Sequence, residues 1–409
     1  MLSRIVIVGA GQAATQAVTS LRAGGFAGKL VLLGNESLPP YQRPPLSKAY
    51  LSGAMGLDRV ILKPLEALAE DKVEVHLDAE VTSLDRDVKQ VMTRDGQSFG
   101  YDALILATGS RVRQLTCPGA ELPGVHYLRS IADADGLGRS MEAGKRLVVI
   151  GGGYIGLEVA AIAKKAGLDV TILEAASRVL ARVAPPIISE FFQKLHGDAG
   201  VSILTDVKVV GLEGADHVTG VTLADGRSIA ADLVLIGIGI IPNAELARTG
   251  GLKAEDGIET DLDARTSDPA IFAIGDCASR PLVHYEYRRS RLESVHNALE
   301  QAKLAAAAIL GLPRPIEEAP WFWSDQYDIK LQIAGLSAGA TQSVVRGDPS
   351  QKRFAVFHLD ADNRLLAVDA INAPPEFIVG KQVIARHGQL APARLADMSV
   401  SMKEIGASA

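Results

Sequence analysis

The sequence predicts an α/β fold: two Rossmann-like dinucleotide-binding units followed by a small α+β C-terminal module. Three observations carry this. A short, continuously apolar strand runs into glycines and a helical stretch at Arg4 to Gly11. The same texture returns at Arg146 to Gly153, about 140 residues later. Strands that are apolar at every position fit a parallel sheet buried on both faces, and this spacing marks domain-sized copies rather than a solenoid. From Trp321 onward, the runs Lys330 to Ala334, Phe354 to Leu359 and Leu365 to Val368 lack crossover helices, which predicts antiparallel pairing with helices near the end.

The first unit opens with strand Ile5 to Val8 and the loop Gly9-Ala10-Gly11-Gln12-Ala13-Ala14, a G-x-G-x-x-A pattern before a helix predicted over Thr15 to Arg22. Gly9 permits the tight turn, Gly11 lets backbone approach a pyrophosphate, and small Ala14 lets helix and strand pack closely. The helix start adds free N–H groups and roughly +0.5 charge for phosphates. The next strand, Lys29 to Leu33, leads to Gly34-Asn35-Glu36, where Glu36 or, more weakly, uncharged Asn35 would bind a ribose. Strand Ala103 to Ala107 precedes Thr108-Gly109, and Ile271 to Ile274 precedes Gly275-Asp276.

The second unit has the full pattern Gly151-Gly152-Gly153-Tyr154-Ile155-Gly156. Its next strand, Val170 to Leu173, ends at Glu174. A carboxylate there accepts from the adenosine ribose 2′-hydroxyl and repels a 2′-phosphate, so NADH is favoured over NADPH. Arg178 and Arg182 lie close enough in sequence to counter this by holding a phosphate. Leu233 to Ile236 precedes Gly237-Ile238-Gly239.

Bulk properties narrow the class. A chain of 409 residues is too long for one ordinary core. With 47% hydrophobic and 22% charged residues it reads as globular, and its net charge of -6 argues against nucleic acid as main partner. Cys117 and Cys277 form no C-x-x-C pair and read as ordinary small residues of a reducing compartment. No signal peptide or apolar run of membrane-spanning length is read, so a cytoplasmic location is expected.

Longer motifs add a resemblance. Tyr41-Gln42-Arg43-Pro44-Pro45-Leu46-Ser47-Lys48, Ala107-Thr108-Gly109, Gly237-Ile238-Gly239, Ile274-Gly275-Asp276, Glu293 to Gln301 and Trp321-Phe322-Trp323-Ser324-Asp325-Gln326 stand along the chain. With them it resembles the oxygenase-coupled ferredoxin reductases of the pyridine nucleotide–disulfide oxidoreductase superfamily. The resemblance implies a glutathione-reductase-like plan: an FAD domain (1–112 and 245–320) interrupted by an NAD domain (113–244), then a C-terminal domain (321–409). It implies FAD contacts from Ala13, Arg43, Lys48, Val81, Arg129, Asp276, Glu293, Val295 and Trp323, and NAD contacts from Gly156, Glu158, Glu174, Arg182 and Gly239. Asn35 departs from the acidic residue of relatives.

The resemblance also implies a route: hydride from NADH to FAD, then single electrons to a [2Fe–2S] ferredoxin feeding a cytochrome P450 or a ring-hydroxylating oxygenase. Lys48 would lie near flavin N5, paired with Glu158, where disulfide reductases carry cysteines. Arg288, Arg289 and Arg291 form the expected docking patch for an acidic ferredoxin. Alternatives are an NADH oxidase or quinone reductase, and an apoptosis-inducing-factor-like NADH-binding interaction protein.

Overall fold

In the computed structural model, which describes residues 2–408, each apolar strand sits at the centre of a five-stranded parallel sheet. The first sheet runs Ile271–Ala273, Ala103–Leu106, Arg4–Val8, Lys29–Leu33, Val73–His76. Its register pairs Ile5 with both Leu30 and Ala103. The second runs Ser202–Leu204, Asp169–Leu173, Arg146–Ile150, Leu233–Ile236, Val125–His126. Central strands are covered on both faces, which is why they are apolar without alternation: Ile5, Val6 and Ile7 have no exposure.

Helices Gln12–Ala23 and Val295–Leu310 cover one face of the first sheet, meeting through small residues such as Ala13, Ala17, Ala298 and Ala302. The first helix starts three residues earlier than predicted, because Gly11 itself is its N-cap. The strands predicted through Ala107 and Ile274 each end one residue sooner, at the turns that enter the site.

Two three-stranded antiparallel sheets lie outside the predicted elements: Val81–Asp85, Gln90–Thr93, Ser98–Gly100, and Val209–Gly214, Val218–Leu223, Ser228–Ala230. The chain passes from the first unit to the second and back through a ribbon in which Ser110–Val112 pairs antiparallel with Ile240–Pro242. Beside it, the Thr108 hydroxyl donates to the Asn243 carbonyl (2.6 Å) and the Asn243 amide to the Thr108 carbonyl (2.9 Å).

The C-terminal sheet is antiparallel, in the order Trp321–Gln326, Ile329–Gly335, Leu365–Ile371, Arg353–Leu359, Gln342–Asp348. Helices Pro374–Ala385, Pro392–Ala396 and Met402–Ala407 follow. Trp321–Gln326 is an edge strand, and its two faces serve different neighbours. Phe322, Ser324 and Gln326 meet Tyr154, Glu158 and His196 of the second unit. Trp321 and Trp323 lie together on the other face, ring centres 5.6 Å apart. No helix among the described residues is long and apolar enough to cross a membrane.

Candidate functional site

Both glycine loops open onto one cleft of about 1950 Å³. That is roughly twice the upper end of an ordinary small-molecule pocket, about 1,000 Å³, and suits two extended dinucleotides. A Cβ on Gly9 would stand 2.1 Å from the Ala107 carbonyl oxygen, and one on Gly151 2.4 Å from that of Gly237. Both residues also have positive φ, +111° and +108°. Those glycines are required by the fold. At Gly11 and Gly153 an added Cβ would meet nothing within 4 Å. That open space is where a phosphate would need the backbone to be bare.

The helix starts beyond Gly11 and Gly153 have neither a side-chain cap nor an acidic residue in their first turns, so their N–H groups remain for an anion. Ala14 and Gly156 do not line the cleft; both are fully packed where helix crosses strand, and a Cβ on Gly156 would come 2.2 Å from the Gly151 carbonyl oxygen.

On the first unit's side, Asn35 is exposed on the cleft wall, while Glu36 is held by Tyr41 (2.5 Å) and Arg43 (2.7 Å). Arg43 stacks over Tyr41 and donates to the Arg129 carbonyl. Asp276 sits in a short turn, accepting from Ser110 (3.0 Å) and Arg129 (3.1 Å). Buried Nε of Arg129 has no partner within the protein. It is a donor left for a ligand, since orphaned buried donors are rare. Ala107, Thr108, Gly109, Ala13, Glu293, Val295 and Trp323 also line the cleft. Val81 does not; it begins a meander strand and packs, half-buried, against the neighbouring core.

On the second unit's side, the Glu174 carboxylate accepts from the Gly152 N–H (2.7 Å) and the Ala176 N–H (2.8 Å), which fixes it at the mouth of the loop. Arg178 is committed elsewhere, donating to the carbonyls of Ala181 and Ala184 and to Ser189. Arg182 is exposed on the cleft beside Gly239. Tyr154 and Ile155 line the cleft too; the Tyr154 ring packs on Phe322, and its hydroxyl is buried without a partner.

In the same cleft lies an ion pair whose carboxylate is buried and whose cation is partly exposed. Lys48 Nζ is 2.6 Å from Glu158 Oε2, with Glu158 2% exposed. Ser47 donates to the same carboxylate, and Ser324 donates to Oε1 at 2.6 Å. Burial pushes the Glu158 carboxyl above its ordinary value; Lys48, Ser324 and Ser47 pull the other way by favouring the anion. Neither serine is singled out by the sequence, although both lie inside the motifs, Ser47 directly before Lys48 and Ser324 between Trp323 and Asp325. Their signal was the motif; their target was invisible without the fold. Cys277 is buried, Cys117 half-buried, and neither lines the cleft.

Residues 3–302 match the family model for pyridine nucleotide-disulphide oxidoreductases. The chain belongs to that family. Residues 321–406 match the reductase C-terminal domain. Within the family, the chain is 47% identical over 400 residues to a probable ferredoxin reductase of Castellaniella defragrans, covering 98% of each protein. It is 46% identical over 411 residues to putidaredoxin reductase of Pseudomonas putida, covering 99% of this chain and 97% of that one. The reductase in the crystal structure of a covalent putidaredoxin reductase–putidaredoxin complex superposes with a TM-score of 0.97 at 45% identity, covering 100% of this chain and 99% of that one.

Proposed function

We propose that this chain is a cytoplasmic FAD-dependent NADH:ferredoxin reductase, supplying a [2Fe–2S] ferredoxin that serves a cytochrome P450 or another oxygenase. The observation that carries this reading is the Lys48–Glu158 pair, set in one cleft between two bare glycine loops. Full-length likeness to ferredoxin reductases supports it. When bound in this cleft, FAD would supply the conversion between two-electron hydride chemistry with NADH and one-electron transfer.

The residues divide the work. Gly9, Gly11 and the first turn of Gln12–Ala23 hold the FAD pyrophosphate. Asn35 and the Arg43-held Glu36 lie at its ribose, and Asp276 with Arg129 at its ribityl chain. Gly151, Gly153 and the start of Tyr154–Lys165 admit the NADH pyrophosphate, and Glu174 takes the adenosine ribose. Arg178 is tied into its own loop, so of these two arginines Arg182 is the one placed to oppose the preference for NADH. Lys48 presents its charge where negative charge accumulates during reduction, and Glu158 holds it there. The start of Val295–Leu310 adds its positive end. Divisions at 1–112, 113–244, 245–320 and 321–409 place the paired ribbon of Ser110–Val112 and Ile240–Pro242 at the seam.

For the ferredoxin, Arg288 and Arg289 are the exposed cations. Arg291 is paired with Asp256 and Glu293 and contributes little net charge. The deciding experiment is NADH turnover with cytochrome c as final acceptor, with and without a [2Fe–2S] ferredoxin. Strong ferredoxin dependence is expected. Equal turnover with oxygen or a quinone alone would overturn the reading in favour of an oxidase or quinone reductase.

A further inference from the structure

The Ser324 hydrogen bond to Glu158 is the last link of a buried line of side chains. The Tyr327 hydroxyl lies 3.2 Å from His196 Nδ1. His196 Nε2 lies 2.9 Å from Gln326 Oε1. Gln326 Nε2 donates to Ser324 Oγ at 3.2 Å, and Ser324 Oγ donates to Glu158 Oε1 at 2.6 Å. His196, Gln326 and Ser324 are 0%, 1% and 0% exposed; Tyr327 is half-buried. The line joins helix Pro186–Asp198 of the second unit to the edge strand of the C-terminal sheet, and that strand to helix Tyr154–Lys165.

Each link fixes the direction of the next. A phenol that donates to Nδ1 leaves the histidine proton on Nε2. An Nε2–H needs the amide oxygen of Gln326 facing it, which turns the amide nitrogen to Ser324. Ser324 then accepts from the amide and has one hydrogen left, which goes to Glu158. With the histidine proton on Nδ1 instead, the first three bonds reverse and the serine spends its one hydrogen on the amide oxygen. Glu158 would then lose one of its donors. Burial holds His196 below its ordinary value, so the ring is neutral and its tautomer decides the outcome.

We infer that His196 is a positioning residue for Glu158: its Nε2–H tautomer, which Tyr327 can match as a donor at one end and the acceptor-only carboxylate requires at the other, orients Gln326 and Ser324 so that the carboxylate paired with Lys48 keeps a third donor. The inference rests on the reading of Lys48 and Glu158 given above. Around Glu158 the other groups are Lys48 and Ser47 from the first unit, the Tyr154 phenol one turn earlier on its own helix, and Asp369 of the C-terminal sheet near that phenol. Lys165 faces Tyr327 from the far end, 5.8 Å from its ring centre.

Two measurements on the full-length holoprotein test this. First, 15N NMR of histidine-labelled wild type, assigned with His196→Phe, should show a neutral ring protonated at Nε2; protonation at Nδ1 overturns the inference. Second, the Glu158 carboxyl is titrated by isotope-edited infrared spectroscopy, assigned with Glu158→Gln. His196→Phe keeps the ring packed on Tyr327 but removes the donor to Gln326. It should raise the proton affinity of Glu158 about tenfold, the scale of one lost hydrogen bond to a charged group. Ser324→Ala should do the same, and the double variant should do no more than Ser324→Ala alone. Additive effects, or an unmoved Glu158 with only a lower melting temperature, would show a structural role and overturn it.

Tyr327→Phe serves if His196→Phe does not fold. It should leave the His196 proton on Nε2 and shift the Nδ1 signal, which loses its hydrogen bond; a proton moved to Nδ1, or an unmoved Nδ1 signal, overturns the inference. Loss of ferredoxin dependence in the wild-type assay would instead remove the functional reading while leaving these titrations standing.

Discussion

Replacing Lys48 by Met removes the cation from a carboxylate whose side chain is 1% exposed. Breaking a buried pair from one side costs about 3–5 kcal/mol, because the remaining charge is left uncompensated. Ser47 and Ser324 still donate to Glu158 in the variant, which favours the lower end, about 3 kcal/mol. The sign with pH follows from the direction of the shift. Burial already raises the Glu158 carboxyl, and losing Lys48 raises it further. A carboxyl raised in the folded state carries no penalty below its unfolded value and a growing one as pH climbs above it.

Lys48→Met should therefore be nearly as stable as wild type around pH 4–5 and lose the full amount by about pH 8. Urea unfolding of the holoprotein at both pH values, followed by tryptophan fluorescence, measures the difference. Stopped-flow reduction by NADH should also slow in the variant. A stability difference that is the same at both pH values would mean the pair is not ionised. Unchanged reduction would remove Lys48 from the site.

Gly153→Val should fold as well as wild type, since its side chain enters open space, yet raise the NADH KM at least tenfold; an unchanged KM places the pyrophosphate elsewhere. Glu174→Gln should narrow the ratio of kcat/KM for NADH over NADPH. A full charge facing a 2′-phosphate at 4 Å is worth about 4 kcal/mol at an effective dielectric of about 20, so a change of at least tenfold is expected, and an unchanged ratio rejects the contact. Charge reversal at Arg288 and Arg289 should lower the ferredoxin on-rate at low salt and flatten its salt dependence. Arg291→Gln, already neutralised by Asp256 and Glu293, should matter less, and a larger effect there would move the docking surface.

The loops were legible because their chemistry is local. Gly9, Gly11, Gly151 and Gly153 stand beside apolar strands, and Glu174 lies one strand further on, so spacing alone places them. The Asp276 contacts with Ser110 and Arg129 were not legible, because the chain leaves the first unit and returns before Asp276 arrives. The same holds for Ser324 on Glu158. A serine between a tryptophan and an aspartate has no visible target until an edge strand settles on a helix far away in sequence. Arg178 shows the reverse error: nearness in sequence suggested a phosphate ligand, and packing spent its donors on the loop. The two meander sheets were missed because short, half-exposed strands carry weak periodicity.

Strand Ile271–Ala273 completes the first sheet beside Ala103–Leu106, yet it is made roughly 165 residues later. At about 5–20 residues per second, a growing chain waits about 10–30 s for it. During that wait the second unit has emerged with every strand it needs. The first has not: Leu104, Ile105 and Leu106, fully buried in the finished protein, form an open apolar edge. Such an edge is a template for mispairing with another nascent chain. The inserted unit therefore has its full set of strands before the first sheet does, and Ala103–Leu106 is the strand that waits for its partner.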